Sequence, residues 1–414
     1  MENKTCYAIV ASRLRNNTYI EWLMHNLSIL SESLGSFIGV MDDENLSSSL
    51  SLLEKCAGIV LVVATGGTEH VVLELREKLQ DKMLLIIALP YANSLPAVME
   101  VAPLLRRYKH TAIHYMDKFN PASYYLLRRI IKALRATTNI REARLGIVGG
   151  ISPWLVYSKL SNEKAREIGI KLIEIGLDEF IKLYREAKPS EEILEKVTTG
   201  ATRVSVSEAS ITNALRVYTA LKNIIERYKL QALTIKCFDL ITRLNTTACL
   251  ALSLLNSSGF VAGCEGDVPA TLAMMILNQV SSKPAFMANP ARLSDNGVLL
   301  AHCTAPLVYG PYELMTHFES GIGVGISAKF PIGTPVTLAR LDPGSLKLRV
   351  GVGVVEASGH LSNYHCRTQV LVRLENSKRL LEDSIGNHYV IAPGKYVEEL
   401  RYVANLLGLG YEKL

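Results

Sequence analysis

The feature that most constrains this chain is a series of short, continuously apolar runs in its first third, separated by segments of helical period. Tyr7 to Ser12, Phe37 to Met41, Gly58 to Thr65, Leu84 to Pro90 and Thr111 to Tyr115 read as strands; Tyr19 to Leu34 and Glu69 to Leu79 read as helices. A strand that is apolar along its whole length is buried on both faces, so a parallel sheet between two helix layers is expected. Ligands of such sheets meet the carboxyl ends of the strands. Thr65-Gly66-Gly67-Thr68-Glu69 lies at one of those ends and opens a helix. Two readings stand there: backbone amides facing an oxygen-rich ligand, or a tight connection capped by Thr68. No GxGxxG follows the first strand, so the turn is not a dinucleotide fingerprint.

A basic helix, Ala122 to Ala136, leads out of this domain, and the strand–helix pattern restarts with Arg144 to Gly150, a strand ending in a glycine turn before Ile151-Ser152-Pro153-Trp154. Helices follow at Asp178 to Glu186, Ser190 to Thr198, Ser207 to Tyr228, Ala248 to Leu255 and Val268 to Gln279, with strands at Leu233 to Phe238 and Phe260 to Gly263. From Lys283 the texture changes. Val298 to Cys303, Gly323 to Ser327, Pro335 to Leu341, Lys347 to Val355 and Gln369 to Leu374 read as strands joined by Gly, Pro and Asp turns, which suggests an antiparallel barrel or sandwich. The expected organisation is an N-terminal α/β domain over 1–142, a second α/β domain over 143–282 carrying the Glu265 turn, and a β-rich, barrel-like domain over 283–395. A final segment, 396–414, holds a helix that packs back on the α/β layers.

Composition narrows the function classes. The chain has 414 residues, 49% hydrophobic and 20% charged, which is ordinary for a globular protein. Its net charge of +6 is scattered rather than gathered into a basic stripe, which argues against nucleic acid. The longest apolar stretches, Gly58 to Ala64 and Met83 to Pro90, fall far short of the ~20 residues that span a bilayer, and the N-terminus lacks a basic start followed by an apolar segment. A soluble, cytoplasmic protein without membrane contact is expected. Seven cysteines, an odd number without CxxC spacing, argue against a secreted disulfide framework and a zinc knuckle, so most read as buried thiols.

Polar residues with chemical potential cluster in the last 160 or so positions, inside apolar or glycine-rich segments: Cys264-Glu265-Gly266-Asp267, Met287-Ala288-Asn289-Pro290, Ala301-His302-Cys303-Thr304, His317-Phe318-Glu319, Cys366-Arg367 and Gly386-Asn387-His388. An acid at the end of a buried strand is costly unless it meets a cation, a donor or a metal, which singles out Glu265. Carboxylate plus imidazole would suit Mn²⁺, Mg²⁺ or Zn²⁺, with oxygen-rich coordination favouring the first two. His302 reads as a core histidine or a ligand, and His388 as a turn histidine or a functional one. Cys264 and Cys303 read as small buried hydrophobes. His317 and Glu319, two apart, would share a face on a strand, or pair with each other. Arg367 would serve a structural ion pair or fix a substrate hydroxyl with its fork of donors. No GxSxG elbow, Walker loop, HExxH helix or kinase set is present.

Taken together, GGTEH at Gly66 to His70, KCFD at Lys236 to Asp239, CEGDVPATLAM at Cys264 to Met274, FMANP at Phe286 to Pro290, the AHCT segment around His302, HFESGIGVGI at His317 to Ile326, CRTQ at Cys366 to Gln369 and GNH at Gly386 to His388 resemble the L-fucose isomerase and L-arabinose isomerase superfamily. The likeness runs over essentially the whole chain and is greatest to shorter, archaeal fucose-isomerase-like members. It implies two Rossmann-like parallel-sheet domains followed by a β-rich C-terminal domain, a homotrimer or homohexamer, and a divalent metal, most often Mn²⁺, that chelates two adjacent sugar oxygens. It further implies an acidic pair that relays a proton between C1 and C2 through an ene-diol. By resemblance, Glu265 and His388 are metal ligands and Glu265 is a catalytic acid; Asn289, aligned with the family's aspartate ligand, is expected as a third ligand through its amide oxygen, and Asp267 as the second catalytic acid. Gly67, Thr68 and Glu69 would reach the sugar in a neighbouring subunit, alongside His302, His317, Glu319, Arg367 and Asn387 in the substrate pocket.

The chemistry agrees, since aldose–ketose isomerisation needs a base for a proton α to a carbonyl and a Lewis acid for the developing enediolate. One position departs. Fucose isomerases carry an aspartate where this chain has Asn289, and an amide coordinates through oxygen but is no carboxylate base. Either Asp267 or Glu319 takes that second role, or the chain binds sugars without isomerising them. The leading expectation is a metal-dependent isomerase of a pentose or 6-deoxyhexose such as L-fucose or L-arabinose. The alternative is a carbohydrate-binding protein on the same scaffold.

Overall fold

The computed structural model describes residues 5–414, which divide into two compact units: residues up to Arg141 with Glu398–Leu409, and Glu142–Val397 with Gly410–Leu414. In the first unit, β1 (Thr5–Val10), β2 (Ser36–Met41), β3 (Gly58–Val63), β4 (Met83–Ala88) and β5 (Thr111–Tyr115) form a parallel sheet in the order β2-β1-β3-β4-β5. Strands β1, β3 and β4 are buried at every residue, as their unbroken apolar sequences require. The segment read as one helix from Tyr19 to Leu34 is two, Asn17–Ser28 and Ser31–Leu34. A helix Ser94–Leu105, which Pro96 and Pro103 hide from propensity reading, packs on the sheet through Ala97, Val98 and Val101. Cys6 and Cys56 form a disulfide, so two of the seven cysteines are not thiols.

The C-terminal helix Val397–Leu407 closes the first unit. Glu399, 2% exposed, receives a two-pronged grip from Arg129, and Tyr402 Oη lies 2.9 Å from His114 Nδ1 on β5.

The second unit begins with β6 (Arg144–Val148) and β7 (Lys171–Ile175), the latter unread in sequence because Lys171 and Glu174 interrupt its apolar run. Short β8 (Arg203–Val204) leaves the layer, while β9 (Ala232–Ile235) and β10 (Val261–Cys264) complete a parallel sheet in the order β10-β9-β6-β7. Counted from β6, this repeats the 2-1-3-4 order of the first sheet.

Then the chain turns antiparallel. β11 (Phe286–Ser294), β12 (Gly297–His302), β15 (Pro335–Asp342), β16 (Lys347–Gly359), β17 (Thr368–Arg373) and β18 (Tyr389–Pro393) close into a six-stranded barrel, because β15 pairs with both β16 and β18. Phe286, Val298, Leu300, Leu338, Val370 and Ile391 contribute to its core. β13 (Tyr312–Met315) and β14 (Gly325–Ala328) pair beside β8, and β19 (Gly410–Lys413) adds in parallel to β16. The fold is therefore α/β with parallel sheets followed by a β-barrel. Among the described residues, no helix is long and apolar enough to cross a membrane.

Candidate metal and active site

The site forms where the parallel sheet of the second unit meets one mouth of its barrel. Cys264 ends β10, and the next three residues explain the local chain path. Glu265 and Gly266 both take left-handed backbone, with φ of 61° and 76°, and Asp267 caps the helix Val268–Ser281 by accepting the Ala270 N–H at 2.8 Å. Pro269 in the first turn is the residue such a start favours. A side chain at 266 would stand 2.4 Å from the Gly150 carbonyl oxygen, so this turn needs glycine. Ser152 N–H donates to the Glu265 carbonyl at 2.9 Å and locks the turn from the other side. Glu265 is thus a non-glycine residue held in a strained conformation, a pattern common at functional sites.

The barrel supplies the imidazoles. His302 is the last residue of β12, and His388 immediately precedes β18, which pairs with β11 carrying Asn289. Glu265 Oε1 lies 3.5 Å from His388 Nε2 and 3.9 Å from His302 Nε2, and the two rings are 5.6 Å apart edge to face. One ligand atom from each of the three residues falls within 4.8 Å of the others, and all three side chains are buried. The other carboxylate oxygen, Oε2, accepts from Trp154 Nε1 at 2.7 Å.

Each ring is oriented by its far nitrogen. His302 Nδ1 is 2.9 Å from Thr304 Oγ1, and His388 Nδ1 is 2.9 Å from Asp267 Oδ2. Both Nε2 atoms therefore face the carboxylate. His388 Nε2 is fully buried yet has no hydrogen-bond partner, since its approach to Glu265 is long. A buried, unmatched imidazole nitrogen beside a carboxylate and a second imidazole fits a divalent cation, with partners behind the ligands of the kind metal sites use.

Electrostatics point the same way. Burial disfavours the charge on Glu265, but His388, His302 and the Trp154 hydrogen bond outweigh it and hold the carboxyl at about 2. Burial and the neighbouring His388 push His302 down to about 3. Burial opposes charge on His388 too, yet the hydrogen bond to Asp267 and the negative charges of Glu265 and Asp267 lift it to about 9. A cation here would take the place of the proton that these acids otherwise demand.

Asp267 sits behind the site. It is wholly buried: Oδ1 caps the helix, and Oδ2 meets His388 and, at 3.0 Å, Arg340 Nη1. With both oxygens committed it supports His388 and has no free face for a substrate, a departure from the catalytic role expected in sequence. Arg340 also donates to the His388 carbonyl at 2.6 Å and to Ser158 Oγ at 2.6 Å. Sequence reading passed over Arg340, whose signal is a lone cation in a buried, mostly apolar strand, and it assigned no role to Trp154.

His317 and Glu319 do not share a strand. They lie in the turn after β13, where His317 Nδ1 meets Ser320 Oγ at 3.1 Å and its ring stands edge-on to Phe238, which packs in turn on Trp154. Glu319 is close enough to Glu265 that partial burial first, and then that negative charge, raise its carboxyl. Arg367 donates through Nε to the Thr316 carbonyl at 2.8 Å and through Nη2 to Thr316 Oγ1 at 3.2 Å, so its fork holds the turn carrying His317 and Glu319. Asn289, half-buried, accepts from Asn387 Nδ2 at 3.4 Å. Gly67, Thr68 and Glu69 belong to the first unit, where Gly67 and Thr68 line a crevice of about 240 Å³ at the carboxyl ends of β1 to β3. Thr68 occupies the N-cap position of its helix, but its side chain makes no cap bond; its hydroxyl donates to the Thr65 carbonyl at 2.8 Å.

No family model matches the chain. It is similar to proteins named sulfoquinovose isomerase: 25% identical over 252 residues to those of Priestia aryabhattai and Priestia megaterium, covering 58% of this chain. The matched stretch spans 55% of the length of each of these two relatives. A protein of the same name from Alkalicoccus urumqiensis is 24% identical over 344 residues, covering 77% of this chain and 75% of that protein.

Proposed function

We propose that the chain is an aldose–ketose sugar isomerase whose divalent cation is held by Glu265, His302 and His388, with Asn289 beside them. The observation that carries this reading is the unmatched, fully buried Nε2 of His388 facing the Glu265 carboxylate. The likeness to sulfoquinovose isomerases supports the reaction class. Bound there, a divalent ion such as Mn²⁺ would supply Lewis acidity toward two adjacent sugar oxygens.

The chain's own residues divide the remaining work. Glu319, its carboxyl raised by partial burial and by Glu265, is suited to take the proton from C2 and return it at C1. This assignment fills the gap left by Asn289 and releases Asp267 to orient His388. His317 and Asn387 would bind sugar hydroxyls, and the aromatic pair Trp154 and Phe238 would wall the pocket. The reading also carries a cytoplasmic homotrimer or homohexamer in which the Gly67 to Glu69 turn of one copy touches the sugar bound by another.

The substrate is an aldose from a short set: L-fucose, L-arabinose, or sulfoquinovose as named in the relatives. The test is ketose formation from each with added Mn²⁺, followed in deuterated water. Turnover with solvent label beside the carbonyl is expected. Glu265→Gln should abolish Mn²⁺ binding. Glu319→Gln should retain the metal while turnover falls about 10²–10⁴-fold. Tight sugar binding by calorimetry with no ketose from any member of the set would favour the second reading, a sugar-binding protein, which the missing carboxylate at Asn289 supports.

A further inference from the structure

The five cysteines outside the disulfide come from five separate segments and gather behind this site. Cys264 directly precedes Glu265, and Cys303 directly follows His302. Cys264 Sγ and Cys237 Sγ are 2.9 Å apart, with the two residues 3% and 7% exposed. Half-buried Cys366 hydrogen-bonds Cys303, and Cys249 has both Cys303 and Cys237 as electrostatic neighbours. Packing accounts for one buried thiol as a small hydrophobe. It does not account for two thiols in direct contact, one at the end of β10 and the other two residues beyond β9, because sulfur is a weak donor and a weak acceptor.

We propose that Cys237 and Cys264 are a redox-active pair whose oxidation to a disulfide, by a peroxide, displaces Glu265 and weakens the metal site. Cys237, the less enclosed of the two, takes an oxygen from hydrogen peroxide to become a sulfenic acid and releases one water. Cys264 sulfur then attacks that sulfur, the S–O bond breaks, and a second water leaves with both thiol hydrogens accounted for. A disulfide bond is about 2.05 Å long, so the sulfurs must close by roughly 0.9 Å. Cys264 is joined by one peptide bond to Glu265, so closure of the sulfurs that draws the Cys264 backbone toward Cys237 carries the Glu265 carboxylate with it and works against the Ser152 N–H to Glu265 carbonyl bond. Metal–ligand distances in proteins keep to within about 0.2 Å of their ideal values, so even a fraction of that closure reaching the Glu265 carboxylate weakens binding.

The weakening of metal binding rests on the metal reading above; the cross-link itself does not. The test uses the full chain with excess hydrogen peroxide, non-reduced peptide mass spectrometry after thiol trapping, and Mn²⁺ titration by calorimetry. Emission of Trp154, which hydrogen-bonds Glu265, is read in a Trp22→Phe background. The expected result is a Cys237–Cys264 linked peptide pair, a shifted Trp154 emission and a Mn²⁺ affinity lower by at least about tenfold, all reversed by dithiothreitol. Cys237→Ala should bind Mn²⁺ like the parent and lose the response to peroxide. Recovery of both residues as trapped thiols, a cross-link confined to Cys303 and Cys366, or a cross-link that leaves Trp154 emission unchanged overturns the proposal. If the reduced chain binds no Mn²⁺, the metal reading fails, and the cross-link with Trp154 emission still decides the redox pair.

Discussion

Each imidazole at the site is aimed by a partner behind it, Thr304 for His302 and Asp267 for His388. Such partners fix the tautomer and the ring plane, and their loss costs about 10–100-fold in metal affinity. Thr304→Val should therefore weaken Mn²⁺ binding by that factor while changing unfolding stability by about 1 kcal/mol or less, since it removes one neutral hydrogen bond. Calorimetric titration beside urea denaturation separates the two effects; an unchanged affinity would show that His302 needs no such support. Asp267 differs from Thr304 in kind. Its partner Arg340 is wholly buried, so removing the carboxylate strands a charge in the interior, which costs about 3–5 kcal/mol. Glu265 and His388 stand out in sequence because an acid after a buried strand and a histidine after Gly-Asn are each unusual. Their mutual distance does not, because 123 residues and a change of domain texture lie between them.

Among the elements, the decisive one is the turn joining β10 to the helix Val268–Ser281. Its sequence, Glu-Gly-Asp-Val-Pro, marks a turn from strand into helix, and the structure shows how it is used: a left-handed pair at Glu265 and Gly266, a cap at Asp267 and a proline in the first turn. The reason Gly266 cannot change is not readable: the Gly150 carbonyl, 116 positions upstream, occupies the space. Gly266→Ala adds a backbone clash at 2.4 Å to the strain of positive φ, so a loss of about 2–4 kcal/mol is expected, with weaker Mn²⁺ binding because Glu265 moves. Thermal unfolding and metal titration of that variant check both halves. At the turn after β13, alternation suggested a shared strand face for His317 and Glu319. The hydrogen bonds from Arg367 to Thr316 and between Ser320 and His317 instead hold a compact loop. Local periodicity carries no information about such distant donors.

For the molecule as a whole, one contribution to the pH response of the first unit comes from His114, buried on β5 against Tyr402 of the C-terminal helix. Burial first, and then the charge of Arg401, depress His114 to about 4, against an unfolded value of about 6.5. The fold thus favours the neutral ring. As pH falls below about 6.5 the unfolded chain binds the proton first, so stability is lost progressively down to about pH 4 and levels off below it. The contribution is about 3 kcal/mol at most. His114→Gln should flatten the decline in the urea midpoint of the first unit between pH 7 and 4.5, read from Trp22, one of the chain's two tryptophans. An equally steep decline in the variant would assign the effect to other groups.

By itself the sequence determined the alternation of buried strands and helices, the change to antiparallel strands after Lys283, and the short list of polar residues with chemical potential, because these are set by period, turn chemistry and the cost of burying charge near one segment. Only the tertiary structure decided which of those residues face each other. Closing the barrel brings His302 and His388 to one mouth, packing it against β10 sets Glu265 between them, and the helix cap withdraws Asp267 to the second layer. Those outcomes depend on contacts between residues far apart in the chain, for which a single sequence holds no distance.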